Sequence, residues 1–190
     1  EAITERTVAI ASNAMWGHPV EQTALRQLCD RHHLAWIEDV SHAHLATFEG
    51  RPVGSYGDIA CASLQGNKLI SGGEGGVLLT NNCDYFMQAV LLGHNLKRST
   101  ELTRGTPCEP LGRTGYGLKL RCHPLAAVLI HDQLVNHADT WVTERHRSLT
   151  DLSNALSKLA GFEPPVVKPY VTSMGAWFGY KPRIDVERIG

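Results

Sequence analysis

The sequence is poor in the features that would mark a membrane protein, a nucleic-acid binder or a disulfide scaffold. No apolar run approaches the ~20 residues that a spanning helix needs. Eighteen Lys and Arg against 19 Asp and Glu leave a formal net charge of -1. Without a basic run there is no electrostatic footprint for nucleic acid or for anionic lipid. The five cysteines (Cys29, Cys61, Cys83, Cys108 and Cys122) never stand in C-x-x-C spacing. A scattered, odd-numbered set argues against a disulfide framework and a zinc site, and for a reducing, cytoplasmic setting. Cys29 and Cys61 lie on apolar faces and read as small core residues. The first residues, Glu1-Ala2-Ile3-Thr4-Glu5-Arg6, have neither the basic end nor the apolar centre of a signal peptide. They also lack a Met, which implies processing or truncation upstream. His42-Ala43-His44 has no third ligand at metal spacing, so no metal is expected.

What is present suits an α/β protein. With 190 residues, 43% of them hydrophobic, the chain can bury one genuine core. Thr7-Val8-Ala9-Ile10 reads as a strand ending in the polar turn Ser12-Asn13-Ala14. Pro19 opens a helical pattern through Val20, Leu25, Leu28 and Cys29. Leu34-Ala35-Trp36-Ile37 follows as a second strand stopping at Glu38-Asp39, which makes a β-α-β unit with parallel strands. Ile59 to Leu64 and Val77 to Leu79 complete the set of strands, all expected to be of parallel type. Asp84 to His94 reads as a helix, and residues 95 to 120 as a long excursion without a clear period. Pro124 begins a helical pattern of about 35 residues, longer than one module usually supports. This predicts a large domain over residues 1–140 and the start of a small one over residues 141–190, with short strands at Val166-Val167 and Ala176-Trp177-Phe178.

The most distinctive stretch is Ser63-Leu64-Gln65-Gly66-Asn67-Lys68-Leu69-Ile70-Ser71-Gly72-Gly73-Glu74-Gly75-Gly76. It sets one lysine among small residues between two strands. The P-loop order G-x-x-x-x-G-K-[ST] is absent, so a phosphate clamp of that kind does not explain Lys68. A lysine on such a loop can instead attack an aldehyde through its amine. Ligands of open parallel sheets bind beyond the carboxyl ends of the strands. Ser12-Asn13, Asp39 to His42, and Ser63 to Lys68 should converge there. Pyridoxal 5'-phosphate (PLP) needs a lysine for its aldehyde and an acid for its ring nitrogen. Asp39 could fill the second role or be a plain turn acid.

Four segments together resemble the DegT/DnrJ/EryC1/StrS aminotransferases: Ile37 to His44, Gly54-Ser55-Tyr56-Gly57-Asp58, Ser63 to Lys68, and Gly73-Glu74-Gly75-Gly76. The resemblance implies an aspartate aminotransferase-like, fold type I PLP enzyme with a mainly parallel sheet, present only in part. It implies transfer of an amino group from glutamate or glutamine to a keto-sugar or cyclitol. Carried over by residue, Lys68 is the Schiff-base lysine and proton carrier, and Asp39 partners the pyridinium nitrogen. His42 lies beside the ring and its phenolic oxygen, Ser63 is a phosphate ligand, and Gln65 lies near phosphate or substrate. Lys119, in Gly117-Leu118-Lys119-Leu120-Arg121, stands where an Asn commonly reaches the cofactor phosphate of the neighbouring subunit. It could serve as a point charge there, or be simple surface charge.

Two departures stand out. Leu45 occupies a position that is nearly always Gly in the family. The family's initial helix, phosphate-binding turn and ring-stacking aromatic have no counterpart ahead of Thr7, and the carboxyl-terminal domain is cut short. The chain is therefore expected to be one subunit of a split enzyme, the central piece of a homodimeric one, or a non-catalytic subunit that completes a heteromer. The joint presence of Lys68, Asp39 and Ser63 argues against the last and against a lysine-lacking dehydratase. Exposed apolar surface is expected, so the chain should not be a monomer.

Overall fold

The computed structural model describes residues 2–93 and 95–189. Strand β1 (Ala9–Asn13), helix α1 (Gln22–His32) and strand β2 (Ala35–Asp39) form the expected unit, with the two strands parallel and Asn13 opposite Asp39. The helix starts later than Pro19 because the Glu21 carboxylate accepts the Ala24 N–H and caps it there. Cys29, Leu34 and Trp36 are buried between helix and sheet, with Ile10, Val20 and Leu25 packed against them. The Trp36 indole is satisfied by Ser12 Oγ at 2.8 Å.

A short hairpin, β3 (Thr47–Phe48) and β4 (Arg51–Pro52), leads to β5 (Ile59–Ser63), which pairs parallel to β2 with Asp39 opposite Cys61. Strand β6 (Gly76–Leu79) then runs antiparallel to β5, with Ser63 opposite Gly76. This corrects the expectation of parallel strands throughout. A parallel return needs a crossover, usually a helix; residues 64–75 contain none, and the chain doubles back. The sheet order is β1-β2-β5-β6.

Helix α2 (Cys83–Gly93) follows; the predicted end at His94 lies outside the described residues. The excursion over residues 95–120 holds a further helix, α3 (Leu96–Thr103), capped by Asn95. Its buried face carries Ser99 and Thr103, whose hydroxyls donate to the Gly112 and Ser99 carbonyls at 2.7 and 2.8 Å. A face buried through hydroxyls leaves no hydrophobic period to read.

The long predicted helix is α4 (Pro124–Asp132) and α5 (Ala138–Leu156), joined by a π-helical turn over Gln133–His137. Neither predicted carboxyl-terminal strand forms. Val166 follows Pro164-Pro165 and is 76% exposed, and Trp177 has φ +39°, incompatible with an extended run. The strands are instead β7 (Phe162–Glu163), β8 (Val171–Ser173) and β9 (Arg183–Ile184), before α6 (Val186–Ile189). Strand β8 pairs antiparallel with β3, which returns the carboxyl-terminal segment to the end of β2.

Apolar surface is left open on β6 and α4. Leu79 is 51% exposed, Val128 67% and Leu125 74%. Val77 and Leu79 of β6 line one apolar cavity with Ile130 of α4, which joins the edge strand to that helix. Such a patch is unusual on a surface that faces only water.

Candidate active site

The parallel register brings the ends of β1, β2 and β5 to one edge of the sheet. Asp39 is held there by two donors, the Asn13 side-chain amide at 2.9 Å and the Ser41 N–H at 3.0 Å. The Ser41 hydroxyl accepts the Ser63 N–H at 2.9 Å, locking the end of β5 to the turn after β2. Asp39, Ser41, Ser63 and Glu74-Gly75-Gly76 line one cleft of about 760 Å³, together with Leu120-Arg121-Cys122-His123.

The lysine loop is fastened at both sides of Lys68. His44 donates from Nε2 to the Ser63 carbonyl at 2.9 Å and accepts the Ile70 N–H at Nδ1 at 3.4 Å, which assigns a neutral tautomer. The Gln133 side-chain amide makes a two-way clasp with the Ser71 backbone, accepting its N–H and donating to its carbonyl, both at 2.9 Å. Gln133 stands at the start of the wide turn between α4 and α5. Gly72 lets the loop press on α4, since a Cβ there would lie 2.8 Å from Ile130 Cδ1. Leu64, Ile70 and Ala138 are buried beneath, with Trp141 and Ile130 against them. Lys68 thus projects from a braced turn.

Burial lowers the pKa of His44, with the bond to the Ser63 carbonyl opposing and the Lys68 charge adding to the shift. Burial and then Lys68 also lower His42, against the raising effect of Asp39. The folded pKa of His44 lies below the ordinary 6.5, so on acidification the unfolded chain takes up the proton first. The stability it contributes is complete above about pH 6.5 and is lost as pH falls through the window between unfolded and folded values. Melting temperature is expected to fall on going from about pH 7.5 to about pH 5.5. A His44→Gln variant should be less stable at the higher pH and show a smaller fall; an unchanged pH slope would remove His44 from this role.

The predicted residues do not all meet in one cavity. Asp39 and Ser63 share the cleft described above. Lys68 lines a different cleft, of about 420 Å³, with Asn67, Trp141, Glu144, Arg145 and Ser148. His42 stacks on Phe178, with ring centroids 3.9 Å apart. Gln65 turns its Oε1 back to accept the Asn67 N–H at 3.2 Å, so it shapes the loop. Lys119 is exposed beside the Leu120–His123 wall. Among the described residues there is no cluster of three or more His, Cys, Asp or Glu able to hold a metal.

Sequence reading missed Trp16, His44, Gln133 and Phe178. His44 stood in a noted motif and could have been found from its spacing to His42. Gln133 and Phe178 carried no local signal, because each acts across more than 60 positions of chain. Leu45 explains itself: it adopts φ +62°, the left-handed conformation that a glycine enters without penalty. The backbone shape survives the loss of the glycine, at a cost of about 1–2 kcal/mol.

The donor set fits PLP. A carboxylate oriented by two hydrogen bonds at a strand end, a hydroxyl across the same cleft, and an amine on a braced neighbouring loop are the complements of its ring nitrogen, phosphate and aldehyde.

Comparison with known proteins extends this reading. The model of the DegT/DnrJ/EryC1/StrS aminotransferase family matches residues 1–189. The L-glutamine:scyllo-inosose aminotransferase of Streptomyces griseus is 34% identical over 189 residues, covering 98% of this chain and 44% of its own. Among solved structures, DesV of S. venezuelae superposes with a TM-score of 0.79 at 27% identity, over 97% of this chain and 46% of its own. The aminotransferase TlmJ of Streptoalloteichus hindustanus gives 0.80 at 22% identity, covering 98% and 48%, a likeness of fold. The fold is that of the fold type I PLP aminotransferases. The chain spans less than half the length of these relatives.

Proposed function

This chain belongs to the DegT/DnrJ/EryC1/StrS aminotransferase family, and from that premise we propose that it carries the reactive half-site of a PLP-dependent aminotransferase. The amino donor is glutamine or glutamate and the acceptor a keto-sugar or cyclitol. The observation that supports this most directly is Asp39, set by Asn13 and Ser41 in the same cleft as Ser63, one loop from Lys68.

When bound, PLP supplies an aldehyde and an electron sink for a carbanion at the substrate carbon. The chain's own residues do the rest. Lys68 would hold the group through its Nζ and would carry a proton at that atom. Asp39 would accept from the protonated ring nitrogen, its carboxylate oriented for this by Asn13 and Ser41. Ser63 would donate its hydroxyl to the phosphate and the exposed Lys119 would add a point charge, while Gln65, its Oε1 taken by the Asn67 N–H, would have its amide NH2 to offer. His42 would lie near the phenolic oxygen, and its burial and the Lys68 charge favour its neutral form.

We read residues 1–140 as the cofactor-binding domain and residues 141–190 as the start of a smaller one. The open apolar face of β6 and α4 supports an assembly in which a second copy, a different chain or further segments complete the site. The five cysteines are free, which suits a reducing cytoplasm.

The test is addition of PLP followed by borohydride reduction and peptide mapping. Absorbance near the visible edge and a mass increase on the Lys68 peptide are expected. Adduct spread evenly over all lysines would overturn the reading. Adduct only after a second chain is supplied would favour the split arrangement. Binding without any adduct on Lys68 would favour the alternative of a structural subunit completing a heteromeric PLP enzyme.

A further inference from the structure

We propose that Phe178 is a positioning residue for Lys68, the aromatic surface that fixes where the lysine amine rests. The proposal rests on the reading of Lys68 as the reactive amine. Lys68 Nζ lies 4.2 Å from the centroid of the Phe178 ring. A four-carbon stem has many rotamers, and a ring face at this distance selects among them by cation–π attraction.

The ring can do this because it is itself held. Phe178 stacks on His42 at 3.9 Å with the planes 12° apart, and on Trp16 at 6.3 Å. Trp16 in turn carries Lys181 Nζ at 4.4 Å from its own ring. The segment bearing Phe178 is tied down on both sides. The Arg145 guanidinium donates to the Ala176 carbonyl at 2.7 Å, and the Ala176 N–H donates to the His44 carbonyl at 2.7 Å. Two glycines permit the close approach. A Cβ at Gly175 would lie 2.1 Å from the His44 carbonyl oxygen, and one at Gly179 would lie 2.4 Å from the Trp16 ring. The segment that positions the lysine is thereby fastened to α5, to the turn after β1 and to the turn after β2.

The experiment uses the full chain with PLP as probe, reading borohydride-trapped adduct on the Lys68 peptide against PLP concentration. Phe178→Leu, apolar but not aromatic, is expected to raise the half-saturating concentration about threefold or more, while Phe178→Tyr stays near wild type. Equal loading by Phe178→Leu and wild type overturns the proposal, as does a loss that Phe178→Tyr shares. If Phe178→Leu does not fold, Gly179→Ala, which pushes the segment off Trp16, carries the same expectation. If wild type forms no adduct, the functional reading fails and Phe178 is judged on a second measurement, acetylation by limiting acetic anhydride. Lys68 labelling relative to exposed Lys119 should then rise in Phe178→Leu, and an unchanged ratio overturns the proposal.

Discussion

Lys68→Ala is expected to abolish the absorbance that PLP induces and to lower any amino-transfer rate by about 10³-fold or more. The magnitude follows from losing both the amine that receives the aldehyde and the proton carrier, the latter alone worth about 10²–10⁴. Lys68→Arg should fare no better, because a guanidinium stays protonated and cannot attack a carbonyl. Folding should be little affected. The loop is braced by His44 and Gln133 through backbone atoms that both variants keep. Near-ultraviolet circular dichroism, sensitive to the Trp16–His42–Phe178 stack, gives the control. A Lys68→Ala protein that still shows the PLP absorbance would place the reactive amine elsewhere.

The second large effect concerns stability and falls on Glu38, next to the candidate ring-nitrogen partner. Strand alternation points Asp39 to the cleft and Glu38 to the opposite face, where it is 1% exposed. Its carboxylate accepts three backbone N–H groups, from Gly54 at 2.9 Å, Tyr56 at 2.8 Å and Gly57 at 2.5 Å. It replaces a strand partner for a segment that would otherwise have none. Gly57 approaches so closely that a Cβ would lie 2.8 Å from the Trp36 carbonyl and 2.9 Å from Glu38 Cγ. Glu38→Ala leaves these donors in a space too tight for easy hydration, at about 1–3 kcal/mol each. A total loss of about 3 kcal/mol or more is expected as a lower urea midpoint. Amide exchange should quicken at Gly54, Tyr56 and Gly57. Glu38→Gln keeps one acceptor oxygen but turns an NH2 toward another donor, so it should fall between. A Glu38→Ala midpoint within about 0.5 kcal/mol of wild type would show that the turn finds other partners.

Both effects were partly legible in the residues. Gly54-Ser55-Tyr56-Gly57-Asp58 stands out as a motif, yet nothing local in it names Glu38 as its anchor. Lys68 could be singled out because one lysine among glycines between strands has few uses. His42 could be placed near the site, although its stacking on Phe178 could not.

By itself the sequence determined the parallel β-α-β unit, the position of Asp39 at a strand end and the lysine loop, because these follow from periodicity, turn residues and short spacing. It also carried the family. It did not determine the direction of β6, which depended on the absence of a crossover, nor α3, buried through hydroxyls. Only the tertiary structure decided what braces Lys68. His44, Gln133 and Phe178 reach it from the turn after β2, the break between α4 and α5, and the carboxyl-terminal segment. Contacts between groups so far apart along the chain depend on where the whole backbone brings them, and no local pattern encodes that.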